Sequence, residues 1–242
     1  MAIEFVLLVL AAYLLGSVPA AYLAAKWSRG IDIRKYGTGK VGAANVLSTA
    51  SKWLAIPVAI FDIGKGALAV WVAQLLGLGA VEQVTAGIIT VVGHNWPVFL
   101  RFQGGRGVLT SLGVITMLSP KLGLIILVMP HLLAPLRQIA LGVLWALVSL
   151  PIFSWFLSQP LDIEERLPIT LGFVVLTLIG LSKRLLTPRT MLSKSVPPVQ
   201  LFINRLLFDR DIRDREAWVH RAPPEASSSK QPLGQQGKQG KG

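Results

Sequence analysis

The stretch IALGVLWALVSLPIFSWFL, residues 139–157, runs for nineteen positions without one ionisable side chain. Wound as an α-helix it extends about 28 Å, enough to cross the hydrocarbon core of a bilayer. Six further apolar segments share its character, at residues 3–25, 53–78, 84–102, 108–118, 122–136 and 167–181. Of the 242 residues 52% are apolar and 15% are charged, and the charges gather between the apolar runs. A soluble domain, whose helices carry a polar stripe, does not read this way. The fold class expected is all-α: a polytopic helical membrane protein with about seven transmembrane helices. The segment at 108–118 makes a helix of only roughly 16 Å, so five full spans plus a re-entrant pair at 108–136 are the alternative.

Charge placement orients these spans. Residues 26–52 hold six basic side chains and one acidic, the loops near Glu82 and at 158–166 are net negative, and from Lys183 onward twelve basic residues face five acidic ones. Under the positive-inside rule this puts the N-terminus outside and the C-terminus inside, with Lys121 alone on the wrong side. The first 25 residues carry only Glu4 as an early charge, so they read as a retained span rather than a cleaved signal. A net charge of +12 would suit nucleic acid, but the basic residues flank apolar spans, and anionic membrane lipids or phosphorylated substrates fit better. With no cysteine and three scattered histidines, His94, His131 and His220, nothing calls for a metal or other cofactor. The chain divides into a transmembrane unit at 1–182, a basic cytoplasmic segment at 183–221 and a Pro-, Ser-, Gln- and Gly-rich stretch at 222–242 expected to be disordered. Within the basic segment, 199–219 reads as an interfacial helix or, equally, as a solvated charged surface.

Three polar constellations interrupt the apolar runs on the side assigned to the cytoplasm. At 37–45 Gly37, Gly39 and Gly42 alternate with the Thr38 hydroxyl, the Lys40 cation and the Asn45 amide, a pattern suited to an anion nest, with a tight basic turn as the plain alternative. Asp62 and Lys65 lie three apart inside a span and so on one helix face, either as a buried ion pair or as substrate contacts. The longest is GHNWPVFLRFQGGRGVLT at 93–110, where Gly104, Gly105 and Gly107 let backbone N–H groups crowd onto an oxyanion, the helix beginning near Thr110 adds its positive end, and Arg106 adds a bidentate cation. His94 is a candidate acid or base, though a histidine at a helix end more often bonds a carbonyl. The Gly-Lys-Ser/Thr tripeptide of a nucleotide-binding loop is missing from this stretch.

In order and spacing, Gly-Thr-Gly-Lys-x-Gly-Ala-Ala-Asn at 37–45, Asp-x-x-Lys-Gly at 62–66 and Gly-His-x-x-Pro-Val-Phe-Leu-x-Phe-x-Gly-Gly-Arg-Gly-Val at 93–108 resemble the bacterial acyl-phosphate:glycerol-3-phosphate acyltransferase family. The resemblance implies seven spans in a bacterial inner membrane and transfer of a fatty acyl group from acyl phosphate to the 1-hydroxyl of glycerol 3-phosphate, giving lysophosphatidate and phosphate. With that chemistry the candidate catalytic residues are Thr38, Arg106 and His94, the substrate's own phosphate oxygens being the alternative to His94 as base. The substrate-binding set is then Gly37, Gly39, Lys40, Gly42, Asn45, Asp62, Lys65, Gly104, Gly105, Gly107 and Thr110. Against the family pattern Thr38 replaces a serine, Lys40 an asparagine, Ser48 an arginine and Arg106 a lysine, while Val199 and Phe202 stand where a polar pair is expected. These departures keep two other readings open: a catalytically silent lipid- or partner-binding relative, and a membrane carrier for phosphorylated compounds.

Overall fold

The computed structural model describes residues 2–220, which contain eleven α-helices and no strand. The stretch 222–242, expected to be disordered, lies outside the described residues. The first apolar run is two helices, α1 (Ala2–Ser17) and α2 (Ala20–Arg29), separated at Val18 and Pro19 because proline has no N–H to carry the helical ladder forward. A short α3 (Ala43–Thr49) leads into α4 (Lys52–Leu75), which keeps its helical course through Pro57. After α5 (Ala80–Asn95) come α6 (Val108–Leu118) and α7 (Pro120–Leu132), joined by Ser119 alone. That serine caps α7 through the Leu122 N–H at 3.3 Å and donates to the Leu161 carbonyl at 2.8 Å. Two long helices follow, α8 (Ile139–Phe156) and α9 (Arg166–Leu185), then α10 (Pro198–Phe208) and α11 (Arg215–Val219).

Among the described residues four runs are long and apolar enough to cross a membrane: Ile3–Arg29 through α1 and α2, then α4, α8 and α9. Helices α5, α6 and α7 are shorter, at 16, 11 and 13 residues. Two further boundaries read from the sequence are corrected. The segment 84–102 is not one helix: α5 stops at Asn95, before Pro97, and a 3₁₀ turn at Val98–Leu100 runs into Arg101 and Phe102, both with positive φ. The segment 199–219 is not one helix either: α10 ends where Asp209 adopts φ 54°, and it docks on α8 and α9 with Leu201, Asn204 and Arg205 buried.

Glycines set the closest helix crossings. A Cβ on Gly16 of α1 would strike the Thr90 carbonyl of α5, and one on Gly113 of α6 would strike the Ile63 carbonyl of α4. Such crossings suit a lipid solvent, where close van der Waals packing rather than water exclusion holds helices together. One buried cluster gathers Val91, Val114, Leu122, Leu150, Phe173 and Leu176 between the later helices. A second, of Ala25, Ile33, Val41, Val46, Val58 and Leu100, lies under the glycine loops. Around the outside Leu7, Leu10, Ile60, Trp145, Ile152 and Leu171 are exposed, an apolar belt that only lipid would cover.

The crossing of α4 and α6 gives a direct test. Gly113→Leu is expected to lower the thermal midpoint in detergent, at an overpacking cost of about 1–3 kcal/mol. Gly64→Ala, where an added Cβ meets nothing within 4 Å, is expected to leave the midpoint unchanged. Equal midpoints for the two variants would refute the close crossing.

Candidate active site at the glycine loops

Three segments far apart in sequence meet at one end of the bundle. The first is the turn after α5. The Gly105 N–H donates to the His94 carbonyl at 3.1 Å, folding the turn back over the helix end. Gly105 also lies so close to the His94 ring and the Val41 carbonyl that no side chain would fit. Gly107, at φ 70°, starts α6, and its Cα faces the Asn95 amide, which a Cβ would meet at 2.8 Å. Asn95 and Thr110 are fully buried beside this turn, and neither side chain has a hydrogen-bond partner.

The second segment is the loop before α3, and Asn45 shapes it. Its Nδ2 donates to the carbonyls of Ile33, Tyr36 and Lys40 at 3.1, 3.1 and 3.0 Å, and its Oδ1 accepts from the Thr38 N–H at 2.9 Å. The amide of Asn45 is thereby spent on the loop, which it curls around itself. Arg34 ties this loop to the other: paired with Asp32 at 2.6 Å, it also reaches the Leu100 carbonyl and Gln103 at 3.4 Å. The Arg34 hydrogen bond, more than any other influence, holds the Asp32 carboxyl below its ordinary range.

The third segment is the C-terminal end of α10. Asp209 pairs with Arg106 through Oδ1 at 2.9 Å and with Lys40 through Oδ2, and its carbonyl accepts from Lys40 Nζ at 2.7 Å. Arg106 also donates to the Thr187 hydroxyl at 2.8 Å, while its Nε is buried without a partner. Behind it Lys183 donates to the Asn95 carbonyl at 2.7 Å, and Arg184 fixes α10 through the Leu206 carbonyl and α8 through the Ala140 carbonyl, both at 2.8 Å. Burial pushes the Lys40 ammonium down to about 8; Asp209 pulls it back up and Arg106 adds to the fall. Burial acts to raise the Asp209 carboxyl, and Lys40, Arg106 and Arg184 outweigh it, so that it stays below its ordinary range.

Asp62, Lys65 and His94 form a buried trio inside the helices. Lys65 Nζ lies 2.8 Å from Asp62 Oδ1 and 2.9 Å from His94 Nδ1, and it donates to the Gly16 carbonyl at 3.2 Å, where α1 ends. Asp62 Oδ1 stands 3.4 Å from His94 Nδ1. The other ring nitrogen, Nε2, packs on Gly105. Asp62 and Lys65 are each only 2% exposed, so the pair braces the turn from behind. A cavity of about 10 Å³, roughly one water in size, is lined there by Ser17, Val18, Asp62, His94 and Pro97. On the outer side, an apolar groove of about 420 Å³ runs between α3 and α4 past Ala43, Ala44, Leu47, Trp53 and Ile56.

The loop holding Gly37, Thr38, Gly39, Lys40, Gly42 and Asn45 meets the turn of Gly104, Gly105, Arg106 and Gly107 at two places, where Gly105 approaches the Val41 carbonyl and where Lys40 and Arg106 share Asp209. Gly37 packs on Asn45 and Thr49 within its own loop, a Cβ on Gly42 would meet nothing within 4 Å, and Asp62, Lys65 and His94 lie behind, with Thr110 buried at the start of α6. Ser48 is exposed, and Val199 and Phe202 are 72% and 51% exposed. Asp209, Arg184 and Asn95 belong to this constellation and do not stand out in the sequence. Asp209 was one acid within an Arg- and Asp-dense run, and Arg184 one of the charges closing the last span.

A family model described as glycerol-3-phosphate acyltransferase matches residues 6–187. Two similar proteins come from strains of Dehalococcoides mccartyi. Glycerol-3-phosphate acyltransferase 5 is 42% identical over 94% of this chain and 98% of its own length, and glycerol-3-phosphate acyltransferase 4 is 43% identical over 90% and 94%. Among solved structures, the glycerol 3-phosphate form of PlsY (YgiH), an integral membrane glycerol 3-phosphate acyltransferase, superposes with a TM-score of 0.71 at 28% identity, covering 87% of this chain and 96% of that one. Its lysophosphatidic acid form gives 0.67 at 28% identity, covering 89% and 98%.

The loop geometry makes a testable demand of Asn45. Asn45→Asp keeps the acceptor for Thr38 and removes the donors to three carbonyls, at a cost of about 1–3 kcal/mol for each one left unpaired. Amide hydrogen exchange across residues 37–45 is expected to accelerate. Unchanged exchange would show that another group holds the loop.

Proposed function

The chain belongs to the glycerol-3-phosphate acyltransferase family, and from that premise we propose that it uses acyl phosphate to acylate the 1-hydroxyl of glycerol 3-phosphate. It is an integral membrane enzyme that transfers an acyl group to glycerol 3-phosphate. The silent-relative and carrier readings are not favoured, since acyltransferases match it across nearly its whole length. Acyl phosphate as donor, lysophosphatidate and phosphate as products, a bacterial inner-membrane location, seven crossings and a site facing the cytoplasm are our reading. The positive-inside charge pattern supports that orientation. The C-terminal segment from residue 183, through Arg184 and α10, is then part of the site rather than an appendage.

One observation carries the residue assignment: Lys40 from one glycine loop and Arg106 from the other reach the same carboxylate. Two cations able to share one small anion are able to grip phosphoryl oxygens. In our reading Arg106 and the N–H groups of Gly104 and Gly107 hold the phosphoryl end of acyl phosphate, while the Gly105 N–H, spent on the His94 carbonyl, keeps the turn in shape. Lys40 and Thr38, on the loop that Gly37, Gly39, Gly42 and Asn45 shape, hold the acceptor, and the groove between α3 and α4 takes the acyl chain. The acceptor's 1-hydroxyl oxygen attacks the acyl carbonyl carbon, forming the ester bond. The bond from that carbon to the bridging oxygen breaks, phosphate leaves with the electron pair, and one of its oxygens takes the hydroxyl proton. A mixed anhydride has a good leaving group, so positioning and charge stabilisation suffice without a covalent enzyme intermediate. His94, held between Lys65 and Gly105, serves to fix the turn, with Asp62 and Lys65 as its braces and Thr110 anchoring the start of α6.

Two measurements test this. Phosphate release from acyl phosphate and glycerol 3-phosphate is expected to fall by about 10²-fold or more in Arg106→Ala, the scale of losing a charge-stabilising group, and by less in Thr38→Ala; full activity in Arg106→Ala would sink the assignment. Lys40 gives a pH signature. A lysine is charged below its pKa, so as pH climbs above about 8 the grip on glycerol 3-phosphate weakens and KM rises, reaching about tenfold one unit higher. Lys40→Arg, charged throughout this range, is expected to flatten that rise, and an identical slope in the variant would assign the titration elsewhere.

A further inference from the structure

Asp209 has no part in the transfer chemistry, yet it sits at the centre of the cationic cluster. Its two carboxylate oxygens are divided between cations from different loops, Oδ1 to Arg106 at 2.9 Å and Oδ2 to Lys40. Arg184 adds to the positive field around it. Three cations thus outnumber one carboxylate, with Lys183 close behind Arg106, and the cluster keeps a net positive charge that a phosphoryl group would balance. The pairing is also incomplete: Arg106 Nε is buried with no partner, and Asp209 Oδ1 meets Arg106 without hydrogen-bond geometry. A carboxylate has two oxygens to offer this cluster, whereas a phosphoryl group has three.

The backbone under Asp209 is adapted to this placement. The residue takes φ 54° at the end of α10, a left-handed conformation uncommon for a side chain other than asparagine, aspartate or glycine. Two residues on, Asp211 locks the segment: its Oδ1 accepts from Arg205 Nε at 2.7 Å, and its carbonyl accepts from Asn204 at 3.1 Å. The carboxylate of Asp209 is therefore delivered to the cations by a braced helix end, not by a loose tail.

We infer that Asp209 is a built-in counter-anion that bridges the two phosphate-binding cations of the resting protein and exchanges with the incoming phosphoryl groups. This rests on the reading of Lys40 and Arg106 as phosphate ligands. A site that is self-occupied most of the time binds its ligand more weakly by the fraction it is free. Asp209 thus sets how much phosphorylated substrate is needed to fill the site, while α10 joins substrate occupancy to the C-terminal segment.

The test uses the full chain in detergent with inorganic phosphate as the probe, its affinity read from the phosphate-dependent rise in thermal midpoint. Lys40→Met and Arg106→Met come first: if both bind phosphate as tightly as the wild type, the ligand reading fails and the inference with it. If they bind it more weakly, Asp209 decides. Asp209→Asn, which accepts the left-handed backbone and removes the charge, is expected to tighten phosphate binding roughly three- to tenfold and to lower KM for the phosphorylated substrates. Asp209→Gly, equally suited to the backbone, is the second variant should the first not fold. Saturating phosphate is further expected to accelerate amide exchange at residues 208–211 in the wild type, as the carboxylate is released. Unchanged or weaker phosphate binding in the Asp209 variants, with recovery in Asp209→Glu, would make Asp209 a fixed support for the two cations and overturn the exchange.

Discussion

At bilayer depth no water stands ready to satisfy a bare peptide group, so each interruption of a helix has to be answered from within the protein. The break between α1 and α2 is answered by Lys65, which donates to the carbonyls of Gly16 and Val18. The interruption after α5 is answered by Tyr13, whose hydroxyl donates to the Trp96 carbonyl at 2.9 Å, by Lys183 on the Asn95 carbonyl, and by the Gly105 N–H on the His94 carbonyl. The loop before α3 is answered by one asparagine. Side chains that the sequence presents as chemical candidates are in several cases employed in this way.

That employment separates two populations of polar residues. Asn45, Asp62, Lys65 and His94 face inward and are paired with other groups of the protein. Lys40 and Arg106 face each other across the gap between the loops, with an anion between them. The first population fixes geometry, and the second supplies charge at a place that geometry holds still. The acyl transfer by positioning that we propose needs both, because a cation out of place by an ångström stabilises little.

Much of this was legible in the sequence, and what was not has a physical reason. The apolar runs and the two glycine loops are local signals, carried by residues adjacent in the chain, and the structure brings those loops together. The break at Pro19 lay inside a run whose hydropathy is unbroken, and hydropathy does not register a missing N–H. The end of α5 was obscured because Val98, Phe99 and Leu100 are as apolar as the helix they follow. Asp209 was invisible because its meaning lies in Lys40 and Arg106, far away in sequence. Residues Val199 and Phe202 drew attention as departures from the family pattern, yet they are exposed, while their neighbours Asn204 and Arg205 turn inward.

The short pair α6 and α7 has a consequence for the surrounding lipid. Their 11 and 13 residues span roughly 16 and 20 Å, against about 36 Å for the 24 residues of α4. Helix α6 is mostly buried, but α7 turns Leu124, Leu127 and Val128 outward, so the apolar belt is lower beside α7 than beside α4. Lipid chains beside the low side must compress or tilt, at a fraction of a kcal/mol for each ångström of hydrophobic mismatch. The protein is then most comfortable where the membrane is thin. With lysophosphatidate, a lipid precursor, as the proposed product, the enzyme feeds the bilayer that also sets its own strain.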